Sequence, residues 1–219
     1  KIFNTEQFKD FLAETPTVNL RPPAVTFGTI FKHEHKENFI SDWLAYLLEP
    51  TNVGTTKPLE CLINVAQKTE NCNVDLSEVN IQREYVFQES KRRIDFLITT
   101  PSHIIGIENK IWSGLQDKQL ADYSKQIKNI KADIINQDKI KDITLILLCP
   151  DSNKVKNQIS NNFSLVTYDE LIEEFKKIRL NYFENLRAAL LMEDFISHVE
   201  EFFMNSTDSS FDFKFIQFQ

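Results

Sequence analysis

The run DITLILLC, residues 142–149, restricts the fold of this chain more than any other segment. It is nearly all apolar, so a strand formed there has no face suited to solvent and is expected at the centre of a sheet. A sheet with such a strand needs helices packed against it. The run therefore predicts an α/β fold.

The residue patterns around that run supply the other elements. Strands are expected at 79–88, 92–100, 103–111 and 163–168, and helices at 4–14, 35–49, 58–69, 115–130, 168–178 and 185–203. A loop is expected around Pro16, Pro22 and Pro23. With four glycines among 219 residues, the chain is expected to be mostly helical around a small mixed sheet. We expect one domain over residues 1–219, with a core at about 34–167 and a helical C-terminal extension at 168–219.

The composition excludes several classes of protein. The formal net charge of −7 argues against attraction of nucleic acid to the whole surface, although it leaves room for a local basic groove. No apolar stretch reaches the length of a membrane span and the first residues lack the apolar part of a signal peptide, so a cytoplasmic protein without membrane contact is expected. Cys61, Cys72 and Cys149 are too widely spaced to indicate a disulfide framework or a zinc site.

Two neighbouring predicted strands carry charges where a buried strand disfavours them. Asp95 lies in RRIDFLI, and Glu108 and Lys110 close IIGIENK. If these strands form an antiparallel hairpin that turns at Pro101 and Ser102, Asp95 lies opposite Glu108. Two like charges at that distance repel each other, and a divalent cation with oxygen ligands relieves the repulsion. A salt bridge from Lys110 to either carboxylate is the simpler alternative, and an unrelated α/β protein with such a hairpin needs no metal.

Four segments in this order resemble the PD-(D/E)xK nuclease superfamily: ENFISDWLAYLLEP, RRIDFLI, IIGIENKI and QLADYSKQI. Asp95, Glu108 and Lys110 stand at the positions of the Asp … Glu-x-Lys motif, and Ile94 replaces the proline that names the superfamily. The chain is similar over about residues 34–150 to members of bacterial origin. The resemblance implies a restriction-endonuclease-like core in the order αβββαβ, with a central mixed β-sheet flanked by helices and additional N- and C-terminal helices.

The resemblance also implies a metal site. Asp95 and Glu108 would bind Mg²⁺ or Mn²⁺ with the main-chain carbonyl of Asn109 as a third ligand, and Lys110 would position the attacking water and stabilise charge on the phosphate. Neighbouring carboxylates oppose a low pKa for Lys110, so we expect an electrostatic role rather than proton abstraction. Glu37 is implied as an additional acid for a second metal or its water. The alternative for Glu37 is an acid of the first helical turn that interacts with the helix dipole.

Gln119 and Tyr123 are four residues apart on a predicted helix and are expected to face the sheet. In similar nucleases this glutamine lies near the metal and contacts the substrate phosphate or a water, and the same is implied for Tyr123. The alternative for Tyr123 is a core aromatic residue with its hydroxyl at the edge of the core.

Three further residues are candidates for contact with nucleic acid. Arg92 and Arg93 flank the first acidic strand and are suited to phosphate contacts, or alternatively to neutralising Glu84 or Glu89. Trp112 is suited to stacking on a base of a single strand, or alternatively to packing at the rim of the core.

These expectations describe a Mg²⁺-dependent nuclease that hydrolyses phosphodiester bonds of nucleic acid, with DNA as the expected substrate. The resemblance implies a setting in bacterial defence or DNA processing. The rival hypothesis is a catalytically silent nuclease-like module for nucleic-acid binding or assembly. The sequence contains no resemblance to a helix-turn-helix or finger, and cutting both strands of a duplex needs two active sites, so a homodimer or a protein partner is a further expectation.

Overall fold

The computed structural model describes residues 25–116, 118–134, 142–155 and 162–204 of the chain. The helix predicted at 4–14 and the loop predicted around Pro16, Pro22 and Pro23 lie outside these residues. Within them, no helix is both long and apolar enough to cross a membrane.

The described residues form a mixed sheet of five strands flanked by helices, which is the predicted restriction-endonuclease-like α/β fold. The strands are β1 (Asn80–Val86), β2 (Arg93–Thr99), β3 (His103–Asn109), β4 (Asp142–Cys149) and β5 (Ser164–Thr167). The helices are α1 (Phe27–Ile30), α2 (Glu37–Leu48), α3 (Pro50–Val53), α4 (Lys57–Gln67), α5 (Gln119–Ile134), α6 (Tyr168–Phe175) and α7 (Leu186–Val199), with 3₁₀ turns at Ser152–Lys154 and Leu180–Tyr182 and a π-helix at Glu200–Met204.

The strands lie side by side in the order in which they occur in the sequence. β2 is antiparallel to both β1 and β3, whereas β4 runs parallel to both β3 and β5. Six of the eight residues of β4 are buried, as the apolar run at 142–149 predicts. β4 is thus an interior strand, and its neighbour β5 forms one edge of the sheet.

The hairpin of β2 and β3 has the predicted register. Phe96 pairs with Ile107 and Thr99 pairs with Ile104. The pairing ends at Phe96 and Ile107, and Asp95 and Glu108 are the next residues of the two strands. The two acids therefore lie at the end of the hairpin that is farther from its turn.

The two faces of the sheet are covered by two apolar cores. Helices α2, α4, α6 and α7 contribute to one core, and α5 contributes to the other. At Gly106 the α5 face of β3 leaves no room for a side chain, because a Cβ atom there would collide with Ile127 of α5. Since neighbouring residues of a strand point to opposite faces, Glu108 faces α5 while Asn109 faces α2 and α6.

Element bounds differ from the predicted ones in two informative places. Helix α5 begins at Gln119 rather than at Leu115, and the side chain of Gln119 accepts a hydrogen bond from the main-chain N–H of Gln116. The last helix changes to a π-helix after Val199, and its Phe203 ring lies 5.7 Å from the Trp112 ring. Both differences concern packing around the loop that follows β3.

Candidate active site

The predicted site residues meet at the ends of β2 and β3. The Nζ atom of Lys110 lies 2.8 Å from Oε1 of Glu108, and the main-chain N–H of Asn109 donates to Oδ2 of Asp95 at 2.7 Å. The Glu108 side chain is only 2% exposed, and that of Lys110 is 12% exposed. This arrangement places two carboxylates and one ammonium in a small and largely buried volume.

Glu108 is the most unusual member of this group. Its Oε2 atom is buried and finds no hydrogen-bond partner among the described residues, whereas buried acceptors in proteins nearly always have one. Burial and the nearby charge of Asp95 raise the pKa of Glu108 to about 7, although Lys110 opposes the shift. Burial also raises the pKa of Asp95, against the effects of the Asn109 N–H and of Lys110. The site is therefore short of positive charge.

Lys110 remains charged in this environment. Burial acts to lower the pKa of its ammonium group, but the carboxylates of Glu108 and Asp95 outweigh that effect and raise it. A lysine with a raised pKa is poorly suited to accept a proton. The raised pKa argues against Lys110 as a base, and its electrostatic role stays a prediction.

Asn109 is fixed from three sides. Its side-chain Nδ2 donates to Oγ of Ser41 at 2.9 Å, and its Oδ1 accepts from the Tyr168 hydroxyl at 3.1 Å. Its main-chain N–H holds Asp95, as described above. These bonds fix the peptide whose carbonyl is predicted as a metal ligand.

Glu37, the first residue of α2, binds the loop that follows β3. Its carboxylate accepts from the main-chain N–H groups of Ile111 and Trp112, at 3.2 Å each, and from the hydroxyl of Ser113 at 3.1 Å. Its charge also acts on Asp95 and Lys110. The structure thus places Glu37 next to the site as the residue that holds the loop, and its role as an additional acid stays a prediction.

Gln119 and Tyr123 face the sheet, as predicted. Nε2 of Gln119 donates to Oε1 of Glu108 at 2.7 Å and to the Tyr123 hydroxyl at 2.8 Å, and that hydroxyl donates to the main-chain carbonyl of Arg93. Burial, with the charge of Glu108, raises the pKa of Tyr123 to about 12, so its phenol stays protonated. Both side chains are buried here, and a contact of either with nucleic acid stays a prediction.

Comparison with family models identifies the group of proteins to which this site belongs. The model of the PD-(D/E)XK nuclease superfamily matches residues 26–197, well over half of the chain. The chain belongs to the PD-(D/E)XK nuclease superfamily. A comparison with curated proteins gives no match. PD-(D/E)XK enzymes generally hydrolyse phosphodiester bonds, so membership implies nucleic acid as the substrate.

The basic residues that flank β2 are engaged in ion pairs. Arg93 lies 3.3 Å from a carboxylate oxygen of Glu84, and Arg92 lies 3.1 Å from one of Asp122. For Arg93 the sequence left two alternatives open, contact with phosphates and neutralisation of Glu84 or Glu89, and the contact with Glu84 corresponds to the second. Contacts of Arg92 and Arg93 with phosphates stay a prediction for this PD-(D/E)XK protein.

Arg83 of β1 is a neighbour of the site that the sequence interpretation missed. Its Nη1 donates to the main-chain carbonyl of Asp95, its Nε pairs with Asp42 at 3.0 Å, and its guanidinium lies 4.6 Å from the centre of the Phe96 ring. A signal for it was present, because Arg83 alternates with apolar residues along β1. An arginine on the apolar side of a strand indicates a buried partner.

The donor set at this PD-(D/E)XK site fits a hard divalent cation. Such ions take carboxylate and carbonyl oxygens as ligands. The partnerless Oε2 of Glu108 and the raised pKa values of both carboxyl groups are what a site built for an added positive charge is expected to show. Among the described residues, no group of three or more His, Cys, Asp or Glu side chains is placed to hold a metal. The predicted ligands, two carboxylates and a main-chain carbonyl, do not require such a group.

Proposed function

We propose that the protein is a metal-dependent nuclease that hydrolyses phosphodiester bonds of DNA at the site formed by Asp95, Glu108 and Lys110. The observation that carries this proposal is the state of Glu108. Its carboxylate is buried, one oxygen is held by Lys110 and Gln119, and the other has no partner in the described part of the chain. The ion pair with Lys110 uses only one oxygen of Glu108, and the partnerless oxygen beside it is suited to bind a cation in a member of a nuclease family.

Asp95, Glu108 and the main-chain carbonyl of Asn109 are the groups that would hold Mg²⁺ or Mn²⁺. When bound there, the cation supplies a Lewis acid for the scissile phosphate and lowers the pKa values of the two carboxyl groups. Asn109 keeps its carbonyl in place through its bonds to Ser41 and Tyr168 on the other face of the sheet.

The other side chains orient these groups. Lys110, which keeps its positive charge, stabilises the negative charge that develops on the phosphate and orients the attacking water. Gln119 and Lys110 both bind the same oxygen of Glu108, which fixes the carboxylate and leaves the second oxygen available. Tyr123 in turn fixes Gln119, and support of this kind for a ligand is typically needed for full activity.

The choice of DNA and a setting in bacterial defence or DNA processing are supported by the sequence resemblance described above. We further propose that residues 1–219 act as one nuclease domain in the cytoplasm. The helices α6 and α7, which follow the expected core, share one apolar core with α2 and α4, which supports a single folding unit.

Cleavage assays test this proposal directly. Supercoiled plasmid, single-stranded DNA and single-stranded RNA are incubated with the protein in Mg²⁺, Mn²⁺ or EDTA, beside the variants Lys110→Ala and Lys177→Ala. Lys177 is an exposed lysine paired with Glu174 and serves as the matched control. We expect metal-dependent products from DNA that Lys177→Ala retains and that Lys110→Ala reduces by at least about a hundredfold.

Two results would contradict the proposal. A folded wild-type protein that gives no products in any of the metals favours the silent nucleic-acid-binding or assembly module. Products that form equally in EDTA, or equally with Lys110→Ala, place the activity elsewhere or in a contaminant.

A further inference from the structure

A cavity of about 120 Å³ lies beside the candidate active site, between the loop that follows β3 and the residues that follow β4. Its walls combine an indole ring, a hydroxyl, an aliphatic side chain and a carboxylate. The residues that line it include Lys110, Trp112, Ser113, Gly114, Asp151 and Val155. None of the roles proposed above for metal binding or water positioning requires this space.

Lys110 connects the cavity with the candidate active site. Its Nζ atom lies 2.8 Å from Oε1 of Glu108 and 3.5 Å from the hydroxyl oxygen of Ser113. A phosphate next to Lys110 would therefore have the sugar and base of an adjoining nucleotide within reach of the cavity. A substrate strand that the proposed nuclease cleaves at this phosphate would thus pass beside the cavity.

Trp112 offers a fixed aromatic surface at this place. Its side chain is 50% exposed, yet its main-chain N–H is bound by Glu37 and its ring makes edge-to-face contacts with His35 and Phe203, at 5.6 and 5.7 Å between ring centres. An aromatic ring that is already held in place loses little freedom when a ligand stacks on it. Every nucleobase has a face that can stack on an indole ring.

The charge of the cavity indicates which part of a nucleotide it accepts. Asp151 contributes a carboxylate whose Oδ1 accepts from the main-chain N–H of Asn153 at 2.9 Å, so it is held in the wall. This negative charge disfavours a second phosphate, and Lys110 is the basic residue among those described as lining the cavity. A neutral and flat group with hydrogen-bonding edges fits these walls best.

We propose that this cavity receives the base of a nucleotide next to the phosphate held at Lys110, so that the preferred substrate is single-stranded nucleic acid. This inference rests on the proposed function. A base inside a duplex is paired and stacked, and it reaches such a cavity only after it has left the stack. Unpaired strands need no such step.

Binding in EDTA tests the inference without requiring cleavage. The anisotropy of a fluorescein-labelled single strand of about 12 nucleotides, and of its duplex, is measured with wild-type protein and with Trp112→Ala, Gly114→Ala and Gly114→Leu. Gly114 suits this purpose because its φ is not in the left-handed region and a Cβ added to it meets no atom within 4 Å. Tyr182→Ala is the control for loss of an exposed aromatic residue, since Tyr182 is 48% exposed and contacts Lys57 instead.

We expect the wild type and Tyr182→Ala to bind the single strand more tightly than the duplex. Trp112→Ala should weaken binding of the single strand about tenfold, as loss of one stacked base does. Gly114 lines the cavity, so the loss should grow with the size of the side chain placed there, from alanine to leucine. Equal affinity for single strand and duplex, equal losses for both Gly114 variants, or unchanged binding by Trp112→Ala would overturn the inference.

The result can be separated from a failure of the proposed function. If the wild type cleaves DNA with Mg²⁺ but binds single strand and duplex equally, the nuclease proposal stands and the base-binding cavity is rejected. If the wild type binds single strands through Trp112 but cleaves nothing, the base-binding cavity stands and the nuclease proposal is rejected.

Discussion

Glu108 and Asn109 are consecutive buried residues of β3, but the hydrogen bonding of their side chains differs. Asn109 points to the side of α2 and α6, where Ser41 and Tyr168 satisfy its amide group. Glu108 points to the side of α5, where one carboxylate oxygen is held twice and the other has no partner among the described residues. Strand β3 therefore carries a hydrogen-bond network with all its partners on one face, and on the other face a network that lacks one partner among the described residues.

The difference separates stability from function. A completed network contributes to the folding free energy, because each buried donor and acceptor has replaced its water. An incomplete network lowers stability, and it is retained in a protein when the missing partner is a ligand. The Asn109 side chain thus supports the fold and fixes the peptide whose carbonyl is a proposed ligand, whereas the Glu108 side chain is the group that we assign to binding the cation.

The largest effect is expected for Glu108→Gln, which keeps the size of the side chain and removes its charge. We expect cleavage to fall by at least about a thousandfold, because a ligand for the cation and a partner of Lys110 are both altered. Rates of plasmid cleavage in Mg²⁺ measure this effect, and circular dichroism checks the fold. Retention of more than a tenth of the activity would show that the two faces of β3 do not differ as described.

The pH dependence of stability offers the next test, in EDTA. In the folded chain the pKa of Glu108 is raised from an ordinary value of 4.5 to about 7, so the fold prefers the protonated acid. Its stabilising contribution is present below pH 4.5 and is lost as the pH rises to about 7 and beyond. The loss amounts to about 3 kcal/mol of unfolding free energy.

Urea unfolding between pH 4 and pH 8 measures this loss. Glu108→Gln should flatten the decline, and Glu78→Gln, which changes an exposed acid, should leave it in place. A decline of the same size in Glu108→Gln would assign it to other groups.

Two tyrosines provide a matched comparison of the two faces. Tyr123→Phe removes the hydroxyl that holds Gln119 on the Glu108 side, and we expect cleavage to fall about tenfold. Tyr168→Phe removes the hydroxyl bound to Asn109, and we expect a loss of about 1 kcal/mol in unfolding free energy with a smaller change in cleavage. Activity and urea unfolding of both variants give the answer. The reverse pattern would contradict the assignment of the two faces.

The smallest effect is expected at the edge of the site. Asp42 pairs with Arg83, but its side chain is 67% exposed to solvent. Asp42→Asn should therefore change the unfolding free energy by less than about 0.5 kcal/mol, since exposed ion pairs contribute little. A loss above about 1 kcal/mol in thermal unfolding would show that this pair, rather than the buried groups, positions Arg83 against Asp95.

The parts that follow local rules could be predicted from the sequence. The turn at Pro101 and Ser102 and the alternation of the two strands fix the register, which pairs Phe96 with Ile107, the residues next to Asp95 and Glu108. The spacing of Gln119 and Tyr123 likewise fixes the helix face that they share, and the structure places both toward the sheet.

The contacts between distant parts of the chain could not be predicted in this way. Glu37 binds a loop 74 to 76 residues further along, and Tyr168 reaches Asn109 across 59 residues. The spacing of apolar residues indicates which side chains share a face of one element, but it does not indicate which elements pack together. For the same reason the partners of Arg83 were missed, although its position among apolar residues indicated that it had some.

Metal binding tests the central claim, that the free oxygen of Glu108 belongs to a cation site, most directly. Calorimetric titration with Mn²⁺ compares the wild type, Glu108→Gln and the exposed control Glu78→Gln, all freed of metal beforehand. We expect saturable binding by the wild type and by Glu78→Gln, and no measurable binding by Glu108→Gln. Equal binding by Glu108→Gln and the wild type, or no binding by the wild type, would contradict the claim.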